Sequence, residues 1–293
     1  MRRTFLTLPA LVLMGLGVWA LMAGVDASVD QWAAGWQREF QNGLAAALRA
    51  LRSGDSGAFA WLMGLAFGYG VVHAVGPGHG KLLIGGYGAA RRVKAQRLSL
   101  IALASSLGQA VTAIVLVYGG MLVLGFTRAQ LTGLAEGLMS SASAIAIGLI
   151  GLWLIVRGAR KMMARRTGGH RQHGEGCGHR HAPNADEVAQ VHGLRDTAAL
   201  IGAVAIRPCT GALLLLVLTW QMGIPAAGIA GTIAMALGTA SVTVGVAVIA
   251  VVAREGTLRA RIGGTAIAAL MPILEVAAGT AIALISLQML AWI

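Results

Sequence analysis

The chain has 293 residues, of which 57% are hydrophobic, 12% are charged and 42 are glycine. One soluble core of ordinary composition cannot bury that much apolar surface, so the composition indicates an integral membrane protein. The formal net charge is +12, which could point to nucleic acid. The positions of the basic residues favour a different explanation and exclude nucleic acid as a partner, because they follow the order of the membrane spans.

Apolar runs long enough to cross a bilayer, which takes about 20 residues, recur seven times along the chain. They cover residues 4–25, 58–90, 98–126, 137–156, 198–220, 225–253 and 264–293. We therefore predict an all-α polytopic membrane protein with about seven transmembrane helices in the lipid bilayer.

The 23 Lys and Arg residues are distributed unevenly between these spans. Seventeen lie before the first span or in the loops after the second, fourth and sixth spans. Four lie in the alternate loops, and two, Lys81 and Arg207, fall inside spans. Because positive charge stays on the cytoplasmic side during insertion, we expect the N-terminus inside and the C-terminus outside.

The first span ends at Val25-Asp26-Ala27, which could also be the cleavage site of a signal peptide. Its apolar run is long for a signal peptide, so we favour an uncleaved anchor over residues 1–27. Either outcome places Ser28 on the outer side of the membrane.

Residues 28–57 follow the anchor and carry large apolar side chains at every fourth position, with polar residues between them. These side chains are Trp32, Trp36, Phe40, Leu44 and Leu48. The spacing predicts an amphipathic helix. It lies either on the outer membrane surface or against the outer face of the protein, and the sequence does not separate the two.

Two spans are interrupted by similar motifs, Gly76-Pro77-Gly78-His79 in the second span and Arg207-Pro208-Cys209-Thr210 in the fifth. Proline lacks the amide proton that a helix interior needs and disfavours helical backbone at the preceding residue. Unwound backbone at membrane depth persists only where it is buried in protein or lines a cavity. Paired breaks in two halves of a chain therefore point to the binding site of a transporter.

The two proline motifs are 131 residues apart, and the pairs Leu107-Gly108 and Leu237-Gly238 in the next spans are 130 residues apart. These offsets predict two three-helix repeats, at residues 58–156 and 198–293. Because three is an odd number, the second repeat must enter the membrane from the opposite side, which is the inverted-repeat architecture.

The repeats are joined by residues 157–197, the long polar stretch of the chain. It contains five of the seven histidines and one cysteine, namely His170, His173, Cys177, His179, His181 and His192. A His-rich tract without core-forming residues predicts a flexible cytoplasmic loop that captures metal ions. A solvated linker without a metal function is the alternative.

His73 and His79 are six residues apart, which on an unbroken helix places them about 240° around the axis. The glycines and proline between them allow a turn that folds the second imidazole back toward the first. Imidazole suits nickel, cobalt, zinc or copper, and Cys209 could add a thiolate from the other half. The alternatives are that the histidines only bond neighbouring helices and that Cys209 only packs.

Lys81 and Arg207 are costly inside a bilayer, so we expect them on the transport path. The same path would include the residues of the two breaks, Gly76, Pro77, Gly78, Pro208 and Thr210. The alternative is that each basic side chain snorkels or pairs with a carbonyl without touching substrate.

The spans contain few acidic residues: Glu136 and Glu275 lie near the starts of the fourth and seventh spans. The chain has no Gly-rich Lys-Ser/Thr loop for nucleotide hydrolysis. It also has no His-Glu-x-x-His or Gly-x-Ser-x-Gly pattern of a hydrolase. We therefore predict a protein that is not an enzyme and that carries no prosthetic group.

Residues 73–81 and 207–212, with the His-rich loop between them, resemble the NicO family of nickel/cobalt transporters. The resemblance implies a multi-pass bacterial inner-membrane permease that moves Ni(II) or Co(II), with the membrane histidines as metal ligands. Members with a long His-rich loop, such as the RcnA branch, look like exporters, which implies metal efflux here. The sequence leaves the oligomeric state open, and a homo-oligomer is one of the alternatives.

Three other functions remain open. An uptake permease would use the same residues and differ only in the direction of transport. An exporter of amino acids or other small solutes would not need the histidine pair. A thiol relay across the bilayer would need two membrane cysteines in matching positions, and because Gly78 stands opposite Cys209, we rank it last.

Overall fold

The computed structural model of the chain describes residues 25–75, 79–91, 93–166, 185–259 and 264–291, and this part of the chain is helical without strands. Its nine helices are α1 (Val25–Arg52), α2 (Ala58–Val75), α3 (His79–Ala90), α4 (Ala95–Val123), α5 (Arg128–Ala164, continuing to Arg166), α6 (Ala185–Ala205), α7 (Thr210–Gln221), α8 (Pro225–Arg259) and α9 (Gly264–Ala291). Single π-helical turns interrupt α4 at Val115–Gly119 and α5 at Ala135–Met139.

Five of these helices, α2, α4, α5, α8 and α9, contain segments long and apolar enough to cross a membrane. The pair α6 and α7 meets the same criterion jointly and is bent by 59° at the break between them. The chain is therefore an all-α, multi-pass membrane protein, as the composition predicts. The first predicted span, residues 4–25, lies outside the described residues apart from Val25.

Two helices begin earlier than the hydropathy pattern predicts. Helix α5 starts at Arg128, nine residues before the predicted span, because Thr127 and Gln130 form a capping box at its N-terminus. Their reciprocal bonds measure 2.8 Å from Thr127 N to Gln130 Oε1 and 3.3 Å from Gln130 N to Thr127 Oγ1. Helix α6 starts at Ala185, so the last part of the polar segment between the halves is helical instead of loop.

The amphipathic helix α1 packs against α2 through its second half, where Leu44, Ala47 and Leu48 are buried. Trp32 and Trp36, in its first half, are 52% and 43% exposed. This helix thus lies on the outside of the bundle, with its C-terminal half attached to the protein and two aromatic rings at the surface.

The helices of the two halves interleave. Helix α2 packs on α8, α4 packs on α6, and α5 packs on α9. An inverted repeat would make the first two pairs equivalent and would place the third on the symmetry axis, so this packing is what the predicted repeats require. The repeats themselves stay a prediction.

Close approach in these pairs depends on small residues, as is usual between membrane helices. Gly151 on α5 and Gly279 on α9 face each other, since a Cβ on Gly151 would lie 2.9 Å from the Gly279 carbonyl oxygen. Further along the same pair, the buried carboxylate of Glu275 accepts a hydrogen bond from Lys161 Nζ at 2.5 Å. Glu275 therefore joins α9 to α5 and is not among the residues of the two breaks.

Candidate metal-transport site

The first break separates α2 from α3. Helix α2 ends at Val75 and α3 begins at His79, as the proline predicts, while Gly76, Pro77 and Gly78 lie outside the described residues. The last carbonyls of a helix have no partner within it. Here Lys81 Nζ donates to the Val75 carbonyl oxygen at 3.1 Å. The basic side chain that falls inside the span therefore bonds the open end of α2.

The second break, Ile206–Cys209, separates α6 from α7. Pro208 is buried in it, and Cys209 is the N-cap residue of α7 in extended conformation. The carbonyl oxygen of Arg207 accepts a hydrogen bond of 3.2 Å from Gln109 Nε2 of α4. Polar backbone exposed by the break is thus bonded by a helix of the other half, as membrane depth requires.

The side chains of His73 and Cys209 lie close enough to interact electrostatically, although they come from different halves. The sulfur lies near the backbone N–H groups of Gly211 and Ala212 in the first turn of α7, and the side chain makes no hydrogen bond that caps the helix. The break in the fifth span therefore places a thiol next to an imidazole from the second span, as the two motifs suggest.

Tyr69 holds the orientation of the His73 ring. The two rings stack with centroids 5.9 Å apart and planes 8° apart, one helical turn from each other on α2. Tyr69 is 1% exposed and packs directly on Gly211, where a side chain would collide with the ring. Its hydroxyl accepts a bond of 3.5 Å from Gln41 Nε2 of α1.

The His73 imidazole has one nitrogen, Nδ1, that is buried and has no hydrogen-bond partner among the described residues. A buried polar atom without a partner is uncommon, and each instance calls for an explanation. An imidazole nitrogen and a thiol are both donors that suit transition-metal ions such as Zn, Cu or Ni. Among the described residues, no group of three or more His, Cys, Asp or Glu side chains is close enough to hold a metal ion.

The other predicted site residues fall into two groups. Arg207 lies within electrostatic range of Glu136, and Thr210 is the first residue of α7. The side chain of His79 and the loop ligands lie outside the described part of the structure. These loop ligands are His170, His173, Cys177, His179, His181 and the side chain of His192.

A small cavity of ≈ 20 Å³ lies beside Cys209, between α2, α4, α7 and α8. Its polar lining comes from residues that the sequence analysis did not single out, namely Ser106, Gln109, Thr232 and Thr239. Such a volume holds about one water-sized particle. The break, the thiol and this mostly apolar cavity with a few polar groups therefore adjoin one another where the two halves of the chain meet.

Comparisons with known proteins indicate the family that the chain resembles. The model of the NicO family, described as high-affinity nickel-transport protein, matches residues 59–182. A protein of Haemophilus influenzae with the name "Putative nickel/cobalt efflux system" is 26% identical over 226 residues, which cover 70% of each chain. No solved structure matches the chain significantly. The two matches confirm the predicted resemblance to the NicO family.

Proposed function

We propose that this chain works as an inner-membrane transporter of the NicO family that exports Ni(II) or Co(II) from the cytoplasm. The observation that carries the proposal is the half-buried pair of His73 and Cys209, which brings an imidazole with an unpartnered nitrogen, Nδ1, close to a thiol from the other broken span. The description of the family and the name of the relative support nickel and cobalt as cargo. The chain performs no chemical conversion in this scheme.

His73 would be the main metal ligand, with His79 and Cys209 completing the donor set as the breaks move. Histidine is the commonest metal ligand in proteins, and imidazole nitrogen suits Ni(II) and Co(II). Because the ion has to leave again, a site with few strong donors is suitable for transport. Rocking of the two halves around the breaks, with Lys81 and Arg207 nearby, would then expose the ion to the outer side.

Efflux is favoured over uptake by two observations. The relative of similar length is named as an efflux system. The polar segment with five histidines joins the two halves in the sequence, and the basic residues in and around it favour the cytoplasmic side. In this position the histidines would collect cytoplasmic metal and deliver it to His73. The word "high-affinity" in the family description favours uptake, so direction is part of the test.

The test is the nickel and cobalt content of a transport-deficient bacterial host, measured by elemental analysis under metal load. Export predicts lower metal content and better growth when the protein is produced. Higher content with greater sensitivity would mean uptake through the same site. No change for either metal would contradict the proposed cargo.

The variant His73→Ala removes the imidazole and should return the metal content to that of the host without the protein. The matched control is Phe67→Ala, which removes a ring of comparable size from the same helix at a position that is 43% exposed. The amounts of both variants in the membrane are compared by immunoblot. Normal export by His73→Ala would remove His73 from the metal ligands.

A further inference from the structure

One hydroxyl in the cavity beside Cys209 lacks the bond that helical threonines usually make. Thr219 and Thr243 donate to carbonyls of their own helices, at 2.8 Å to Leu215 O and 3.1 Å to Ala240 O. Thr232 on α8 is 1% exposed, and its Oγ1 has no hydrogen-bond partner among the described residues. Burying an unbonded hydroxyl costs free energy, so its position at the cavity suggests a ligand there.

Two further oxygen acceptors line the same cavity. Gln109 uses its amide nitrogen to bond the Arg207 carbonyl oxygen, which leaves its Oε1 as the free end of the amide. Thr239 donates its hydroxyl hydrogen to the Gly70 carbonyl oxygen at 3.2 Å, which leaves the lone pairs of its oxygen free. The side chains of Gln109 and Thr239 are therefore each oriented by a backbone carbonyl of a broken span.

The remaining polar groups are the hydroxyl of Ser106, which is 3% exposed, and the thiol of Cys209. Cys209 lines the cavity and also lies close enough to His73 to interact with it electrostatically, so it lies between the two. An ion released by the His73 imidazole would meet this cavity next. Its lining comes from both halves of the chain, so a relative movement of the halves would open or close it.

We propose that this cavity is a second binding position on the transport path, where Ser106, Gln109, Thr232 and Thr239 supply oxygen donors to a divalent transition-metal ion. The assignment rests on the proposed function, since only a chain that moves metal would use it. Oxygen donors bind Ni(II) and Co(II) more weakly than imidazole does, which suits a position that the ion must leave. Because a volume of ≈ 20 Å³ holds about one water-sized particle, the ion would enter without its full hydration shell.

The experiment uses the purified full-length chain in liposomes and follows Ni(II) and Co(II) movement with a metal-sensitive dye. The variants are Thr232→Val and Ser106→Ala, singly and combined. We expect the initial rate of the double variant to fall about tenfold, because the ion loses two donors in its passage. The dissociation constant for the first equivalent of Ni(II), measured by titration, should stay within about twofold, since His73 is unchanged.

The controls are Thr243→Val on α8 and Ser105→Ala on α4, which remove buried hydroxyls outside the cavity lining. If the cavity variants transport at the rates of these controls, the cavity holds no ion and at most a water. If the rate and the first dissociation constant change together, the residues act on the His73 site and the second position is wrong. Wild-type liposomes that move neither metal would overturn both the proposed function and this assignment.

Discussion

The two broken spans are stabilised in different ways, although each places a potential metal ligand beside its break. At the first break, the bond from Lys81 Nζ to the Val75 carbonyl oxygen joins two residues of the same span. At the second break, the bond to the Arg207 carbonyl oxygen comes from Gln109, which belongs to the other half. Movement between the halves should therefore disturb the second break more directly than the first.

The two Leu-Gly pairs show a related difference. Gly108 of α4 faces the side chain of Ala205 on α6, where a Cβ would lie 2.7 Å from the Ala205 Cβ. Gly238 of α8 faces the backbone of α2, where a Cβ would collide with the carbonyl oxygen of Phe67. In both halves the residue after the glycine, Gln109 or Thr239, donates a bond to the opposite broken span. Equivalent positions thus make equivalent contacts, but the space around the glycine is smaller at Gly238 than at Gly108.

The largest loss of stability is expected at Gly238, where the space around the glycine is smallest. Gly238→Ala forces α8 and α2 apart at backbone atoms, so it should cost about 1–3 kcal/mol in stability. Gly108→Ala places its Cβ against the Cβ of Ala205, which cannot rotate away, so α4 and α6 must also shift. The contact is less close than the one at Gly238 and the change gains helix propensity of about 0.5–1 kcal/mol, so it should cost less than Gly238→Ala. Thermal unfolding of the purified protein in detergent measures both.

Gly64→Ala on α2 is the control for these variants, because a Cβ there meets nothing within 4 Å. It should leave the unfolding temperature unchanged or raise it. Equal losses for Gly108→Ala and Gly238→Ala would mean that the two interfaces are equally tight, against the structure.

A loss of stability of similar size or less is expected when the hydrogen bonds between the two halves are removed. Gln109→Leu leaves the Arg207 carbonyl oxygen without that donor in a break, where no helix supplies a replacement, and should cost about 1–3 kcal/mol. Thr239→Val removes a bond to Gly70 O, but that oxygen lies within α2 and keeps its helical environment, so about 0.5–1.5 kcal/mol is expected. Chemical denaturation of both variants measures their free energies of unfolding and shows which variant loses more stability. A greater loss for Thr239→Val would contradict the difference between the breaks.

The sequence predicts the breaks well because proline acts locally. Pro208 falls within the interruption at Ile206–Cys209, and α2 ends two residues before Pro77. The span between residues 225 and 253 is also predicted correctly, since its apolar run is long. The early start of α5 could have been found from the spacing of Thr127 and Gln130, which is a capping-box pattern.

The cavity could not be predicted in the same way. A single Gln, Ser or Thr in a glycine-rich apolar helix gives no periodicity, so the sequence does not tell which side of the helix it faces. Thr232 and Thr243 look alike in the sequence, yet only Thr243 bonds its own helix. Their difference arises from how α8 packs against α2 and α4, which is a property of the assembled fold.

The smallest effect is expected at the first break, where the bond lies within one span. Lys81→Met keeps the apolar stem and removes Nζ, so it should cost about 0.5 kcal/mol and leave the transport rate within about twofold. Lys81→Arg keeps a donor and should restore the wild-type unfolding temperature. Both the transport rate in liposomes and the unfolding temperature are measured, because together they separate a role of Lys81 in stability from a role in transport. A large loss of transport rate at a constant unfolding temperature would show that Lys81 acts on the ion itself. The first break would then take part in transport, in addition to the hydrogen bond that stabilises the end of α2.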